Sequence, residues 1–133
     1  MQIINHRMGA QSYLDLVHSG TLPRDEYKDI VRPDVEKLKV YPADVAFGNS
    51  KFWGPATDRA GNSVPDGYKM KWHNMGPGKV QLRLCVALLG SDAFLCQAYV
   101  KQSDPQDKRE AAKLKTHIQN IRLGNYTKRG VLP

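Results

Sequence analysis

The sequence predicts an α+β fold: a small antiparallel sheet of three to four strands, packed on one face by N-terminal helices and a C-terminal helix. Three observations carry this. Residues 68–101 contain three runs in which polar and apolar positions alternate, each rich in branched or aromatic side chains and bounded by Gly, Pro, Asn or Asp. Short stretches with helical spacing precede them, and a longer one comes after, with Ala111, Leu114, Ile118 and Ile121 on one stripe. The length, 133 residues, suits one domain spanning 1–133 around one core.

The strand runs are 68–72, 80–89 and 94–101. Successive strand residues point to opposite sides, so Tyr68, Met70 and Trp72 share one face, and Lys69, Lys71 and His73 the other. Leu82, Leu84, Val86 and Leu88 likewise separate from Lys79, Gln81, Arg83 and Cys85. In the third run Phe94, Cys96, Ala98 and Val100 separate from Leu95, Gln97, Tyr99 and Lys101. A three-residue hairpin loop at 90–92 places Arg83 opposite Tyr99 and unites the polar faces into one basic, solvent-facing surface; a two-residue loop at 90–91 shifts the parity and separates them. In the three-residue register Cys85 and Cys96 lie on opposite faces, most simply as buried thiols.

Charge reinforces this division. Residues 1–67 hold 8 Lys and Arg against 9 Asp and Glu, whereas residues 68–133 hold 12 against 4, so the net charge of +7 belongs to the sheet and the C-terminal residues beyond it. Such asymmetry points to a polyanionic partner, nucleic acid or an acidic protein, against the blander reading of a solubilising surface. No stretch approaches the roughly 20 apolar residues of a membrane span, and residues 1–7 lack the apolar run of a signal peptide. A cytoplasmic protein with no membrane partner is therefore expected. His6, His18, His73 and His117 form no metal-type spacing, nor do the two cysteines, so no metal or cofactor is expected.

Along the chain, 2–4 reads as a short strand and 10–18 as a helix closed by Gly20. A second helical stretch starts near Pro23 with Asp25 and Glu26 in its first turn, is interrupted at Pro33, and resumes over 34–40. Residues 41–67 read as a long irregular loop in which Lys51, Phe52 and Trp53 form a docking element or an anchor against the core. The C-terminal helix begins at Ser103-Asp104-Pro105, with Asp104 as cap, and ends at Gly124. Beyond it lies a basic, aromatic tail containing Tyr126, Lys128 and Arg129.

Taken together, Tyr68-Lys69-Met70-Lys71, Arg83-Leu84-Cys85-Val86 and Tyr99-Val100-Lys101-Gln102-Ser103-Asp104-Pro105, the last leading into a helix with Glu110 and Ala112, resemble the RelE/ParE toxin superfamily over residues 65–123. The last segment is similar to that of phage-type HigB relatives, with Gln102 at the position of their second basic residue. The resemblance implies a RelE-like fold and a toxin of a toxin–antitoxin module that acts on messenger RNA, with the ribosome and a cognate antitoxin as partners. A ParE-like gyrase inhibitor and a nonenzymatic RNA-binding module are the alternatives.

Cleavage through the ribose 2′-hydroxyl needs a base, stabilisation of the phosphorane and an acid. Crowded cations supply all three if one lysine is held partly neutral by its neighbours. Lys69 and Lys71 are the candidate base and clamp, and Lys101 a second clamp or the acid. By resemblance, Arg83 stabilises the developing phosphate charge. His73, Lys79, Tyr99, Tyr126, Lys128 and Arg129 complete the expected RNA-binding set, with the aromatic groups stacking on bases or sharing the proton transfer.

Overall fold

A computed structural model describes residues 1–125, those at 6–8 by backbone alone, and the backbone of Lys128 and Arg129. The elements in chain order are β1 (Gln2–His6), α1 (Arg7–His18), α2 (Arg24–Glu26), a π-helical turn (Tyr27–Val31), α3 (Arg32–Glu36), 3-10 turns at Lys37–Val40 and Val45–Gly48, β2 (Trp53–Thr57), β3 (Ser63–Met75), β4 (Val80–Leu89), β5 (Asp92–Lys101), α4 (Asp104–Arg122) and β6 (Lys128–Arg129). The strands form one sheet in the order β2-β3-β4-β5-β1-β6.

The α+β class is as expected; the details of the sheet are not. The sheet is mixed rather than antiparallel, because β1 runs parallel to β5 with Ile3 beside Ala93 and Asn5 beside Leu95. Both of its faces are covered. The first face packs Tyr13, Tyr27, Val31 and Leu38 from the N-terminal helices and turns, and Leu22 from the connection between α1 and α2, onto Met70, Trp72, Leu82, Leu84 and Val86. The second packs Ala111, Leu114, Ile118 and Ile121 of α4 onto Val64, Cys85, Ala87, Phe94 and Cys96. The reason lies in β4: six successive residues, Leu82 to Ala87, are buried. Such a nearly continuous apolar run belongs to a strand covered on both sides.

The supposed loop 41–67 holds β2 and the first five residues of β3. Pro55 stands in β2 because β2 is an edge strand, where a missing N–H costs no ladder bond. Trp53 stacks on Tyr68 with centroids 5.0 Å apart and meets Phe47 edge-on, so it is an anchor; Phe52 is half-buried and lies edge-on to Trp72.

The β4–β5 hairpin has a two-residue loop, Gly90-Ser91, with Leu89 opposite Asp92. Gly90 has φ +61°, as the first loop position of a type II′ turn requires. By parity this would carry Tyr99 and Lys101 to the first face. It does not, because the register shifts between Cys85 and Val86: Val86 pairs with Leu95, but Cys85 pairs with Gln97. Cys96 is the extra residue of a β-bulge, and the alternation starts again beyond it. Arg83 therefore faces Tyr99 as expected, by a different route. The bulge also overturns three expectations, since Leu95 joins the first face, and Phe94 and Cys96 join Cys85 in the core of the second.

Ser103, not Asp104, caps α4: its hydroxyl accepts from Gln106 N–H at 3.2 Å, and the Gln106 side chain accepts from Gln102 N–H. No helix among the described residues is long and apolar enough to cross a membrane.

Candidate functional site

Cross-strand pairing assembles the site. Lys71, Arg83 and Tyr99 form one row across β3, β4 and β5; Lys69, Cys85 and Gln97 form the next; Gln81 and Lys101 pair on the other side. Adjacent strands lie about 4.8 Å apart, so a row of three spans roughly 10 Å. Lys69, Lys71, Arg83 and Lys101 thus share the second face. α4 enters over the Lys69 row, starting from its N-terminal turn, and so divides this face into a covered and an open part.

Asp107 lies on the covered part. Its carboxylate accepts from the Lys69 ammonium at 2.6 Å and, through its other oxygen, from the Tyr99 hydroxyl. Only 12% of the Lys69 side chain and 11% of the Asp107 side chain remain exposed. Burial alone would raise the Asp107 carboxyl, but the hydrogen bonds from Lys69 and Tyr99 and the Lys69 charge outweigh it and hold it below its ordinary value. The Tyr99 hydroxyl is pushed well above its ordinary range by burial, then by Cys85 and Asp107, so it stays a donor. Tyr99 is 6% exposed and enclosed in the second core. A ring so enclosed offers no face for a base to stack on, which corrects the expected role.

Asp107 was not anticipated, although its signal was present. It lies on the inward stripe of α4, four residues before Ala111 and seven before Leu114, where an apolar residue would be the norm. A carboxylate there must meet a cation from the sheet.

Lys71 is half-buried on the open part, and its ammonium donates to the Ser50 carbonyl at 2.9 Å. Desolvation, with the charges of Lys69 and Arg83 next in size, lowers its pKa against the opposing pull of Asp107. Gly54 on the neighbouring strand leaves room beside it; a β-carbon there would lie 3.4 Å from the Lys71 nitrogen. Arg83, 7% exposed, donates through Nη1 to the Leu82 carbonyl at 3.1 Å. Lys101 stands at the rim, 3.4 Å from the exposed Asp104.

The remaining expected residues lie further out. His73 is exposed; its Nε2 meets the Lys51 carbonyl at 2.7 Å and its Nδ1 meets Gln81 Oε1 at 2.8 Å, which fastens the 49–52 segment to the sheet beside Lys71. Lys79 is exposed in the β3–β4 turn. Lys128 and Arg129 belong to β6, four strands from β3 and beside β1, so their backbone lies away from the cluster. Tyr126 lies outside the described residues. No protein-family model matches the chain, and no curated protein or solved structure shows significant similarity to it.

Proposed function

We propose that this protein is a toxin of the RelE-like kind, a messenger-RNA endoribonuclease that works without a metal. The supporting observation is the division of labour among four cations on one face. Lys69 is neutralised by Asp107, whereas Lys71, Arg83 and Lys101 carry uncompensated or weakly paired charge beside it. A phosphodiester suits such a cluster of positive charge.

In this reading Lys71 is the base. Its lowered pKa increases the neutral fraction near pH 7, which lets it accept the 2′-hydroxyl proton. The 2′-oxygen attacks phosphorus, and the bond to the 5′-oxygen breaks. Lys101 returns a proton to the leaving oxygen, leaving a 2′,3′-cyclic phosphate and a 5′-hydroxyl. Arg83 stabilises the phosphorane charge from within the sheet surface, where low dielectric strengthens its field. Lys69 and Asp107 are positioning residues that lock α4 to the sheet.

The test is incubation of single-stranded RNA with the purified protein and a chelator, with and without ribosomes, and then mapping of the ends. Cyclic-phosphate and 5′-hydroxyl termini that disappear with Lys71→Ala are expected. RNA that is bound in a salt-dependent manner but left intact under both conditions sinks the nuclease reading in favour of a binding module.

A further inference from the structure

A cavity of about 40 Å³ lies between α1 and the segment that runs from α2 into the π-helical turn. Tyr13, Leu14 and Val17 line it from α1, and Arg24, Tyr27 and Lys28 from the other wall. Spacings of three and four gather Arg24 with Tyr27 and Lys28, and Tyr13 with Val17. Tyr27 opens the π turn, where its carbonyl accepts from the Arg32 N–H five residues on; single π turns of this kind are frequent at functional sites. Tyr13 is 1% and Tyr27 4% exposed, and their rings stack with centroids 5.3 Å apart. Both hydroxyl oxygens are closed off from water, and neither makes a hydrogen bond among the described residues. A buried hydroxyl without a partner is costly, which calls for one from outside the chain.

The lining selects the chemistry of that partner. Burial pushes the Tyr13 hydroxyl well above its ordinary range, with Tyr27 adding to it, and pushes Tyr27 up to about 12 against the opposing charge of Arg32. Both therefore stay protonated and able to donate. Arg24 and Lys28 are exposed, and their side chains make no hydrogen bond or ion pair among the described residues. None of the six lining residues is acidic, so four donor groups stand around apolar Leu14 and Val17. Such a lining suits an acceptor-rich anion on an apolar stem. One water takes up about 10–15 Å³ of space measured in this way, so the cavity holds roughly three non-hydrogen atoms. That is enough for a carboxylate and too little for a phosphate.

We infer that this cavity binds a carboxylate carried on an unbranched apolar stem. Its oxygens accept from the Tyr13 and Tyr27 hydroxyls, Arg24 and Lys28 swing aside to admit it and close on its charge, and the stem lies against Leu14 and Val17. The carboxylate belongs either to a free short-chain acid or to a glutamate of a partner chain. Tyr13 and Tyr27 are part of the core on the first face, so the sheet separates them from the cation cluster on the second. Occupancy therefore leaves the RNA surface open.

Titration of butyrate, butyramide and a capped glycine–glutamate–glycine peptide into the isotope-labelled wild-type protein, followed by amide chemical shifts, tests the site without RNA. Butyrate is expected to bind roughly tenfold or more tightly than butyramide, which has the same shape and no charge, with shifts confined to residues 13–17 and 24–28. Tyr13→Phe with Tyr27→Phe keeps both rings and should lower butyrate affinity roughly tenfold or more. Arg24→Gln with Lys28→Gln, both at exposed positions, should weaken binding and flatten its salt dependence. Tighter binding of the peptide than of butyrate assigns the site to a partner's glutamate, and the reverse to a free acid. Equal affinity for butyrate and butyramide, full affinity in both double variants, shifts located elsewhere, or no response to either carboxylate, with water alone meeting the hydroxyls, overturns the site. A protein that cleaves RNA yet ignores butyrate loses only this site, and one that binds butyrate yet leaves RNA intact loses only the nuclease.

Discussion

The Lys69 ammonium and the Asp107 carboxylate, 38 positions apart in sequence, meet at 2.6 Å beneath the first turn of α4. Removing one partner of a buried pair strands the other charge in a poorly solvated site, which costs far more than the intact pair contributes. Asp107→Asn is therefore expected to destabilise the fold by about 3 kcal/mol, read as a lower urea midpoint. Lys69→Met with Asp107→Leu should cost much less than the sum of the single variants. The Asp107 carboxyl sits below its ordinary value of 3.8 in the folded state. The stability it contributes is hence complete above that value and is lost as pH falls through the depressed one. The wild-type protein should show this acid-side loss, and Asp107→Asn should show less of it.

Lys71 gives the same direction of dependence in the alkaline range, through an unfavourable rather than a favourable contribution. Its folded pKa is lowered, so the charged form is disfavoured in the folded state, and its unfavourable contribution at neutral pH is relieved as pH rises through the folded pKa toward 10.5. If it is the base, the cleavage rate climbs along the same limb. Lys71→Ala should lower the rate about 10²- to 10⁴-fold, and Lys71→Arg should not restore it, because a guanidinium stays charged. Arg83→Gln removes a like charge and should move the ascending limb to higher pH as well as lowering the plateau. A limb that stays in place in the Arg83 variant separates Lys71 from the titration.

The central hairpin and α4 were legible because their periodicities are long and their punctuation is strong: Gly90, the Ser103-Asp104-Pro105 start and Gly124. The shared face of Lys69, Lys71, Arg83 and Lys101 was reached through a three-residue loop that the hairpin does not have; the bulge at Cys96, which leaves no mark in the periodicity, restores it. What escaped was tertiary. Nothing local in Gln2–His6 says that it lies parallel to β5, and Trp53–Thr57 carries Gly54 and Pro55, which read as loop until the edge position is known. The covering of the second face was written in the unbroken burial of Leu82 to Ala87. Arg83 within that run and the lysines on the neighbouring strands drew attention to solvent instead. Asp107 escaped for the same reason, since a helix expected on the other face has no reason to bring a carboxylate here.

Gly9 sets the distance between α1 and the sheet. A β-carbon there would stand 2.3 Å from the Leu95 carbonyl oxygen, a backbone atom that cannot swing aside. Gly9→Ala should force α1 away from β5 and cost about 1–3 kcal/mol. Gly48, where a β-carbon meets nothing within 4 Å, is the control, and Gly48→Ala is expected to leave the melting temperature nearly unchanged. Equal effects at the two positions would show that α1 does not rest on β5 through this contact.

The bulge at Cys96 gives a parity test of the whole basic face. With Cys96 and Gln97 both opposite Cys85, removal of Cys96 alone lets Leu95 stay with Val86 and Gln97 with Cys85 in an uninterrupted ladder, so Tyr99 remains opposite Arg83. That deletion should fold, with a modest loss of stability from the vanished thiol and the straightened strand. Removal of Cys96 and Gln97 together moves every later strand residue by one, which turns Tyr99 and Lys101 into the first core and brings Val100 out. The pair deletion is expected to lose cooperative thermal unfolding and RNA binding together, measured by near-UV circular dichroism and filter binding. If it instead folds and binds RNA like the single deletion, the second face does not depend on the side to which β5 directs Tyr99 and Lys101, and the cation cluster is not the RNA surface.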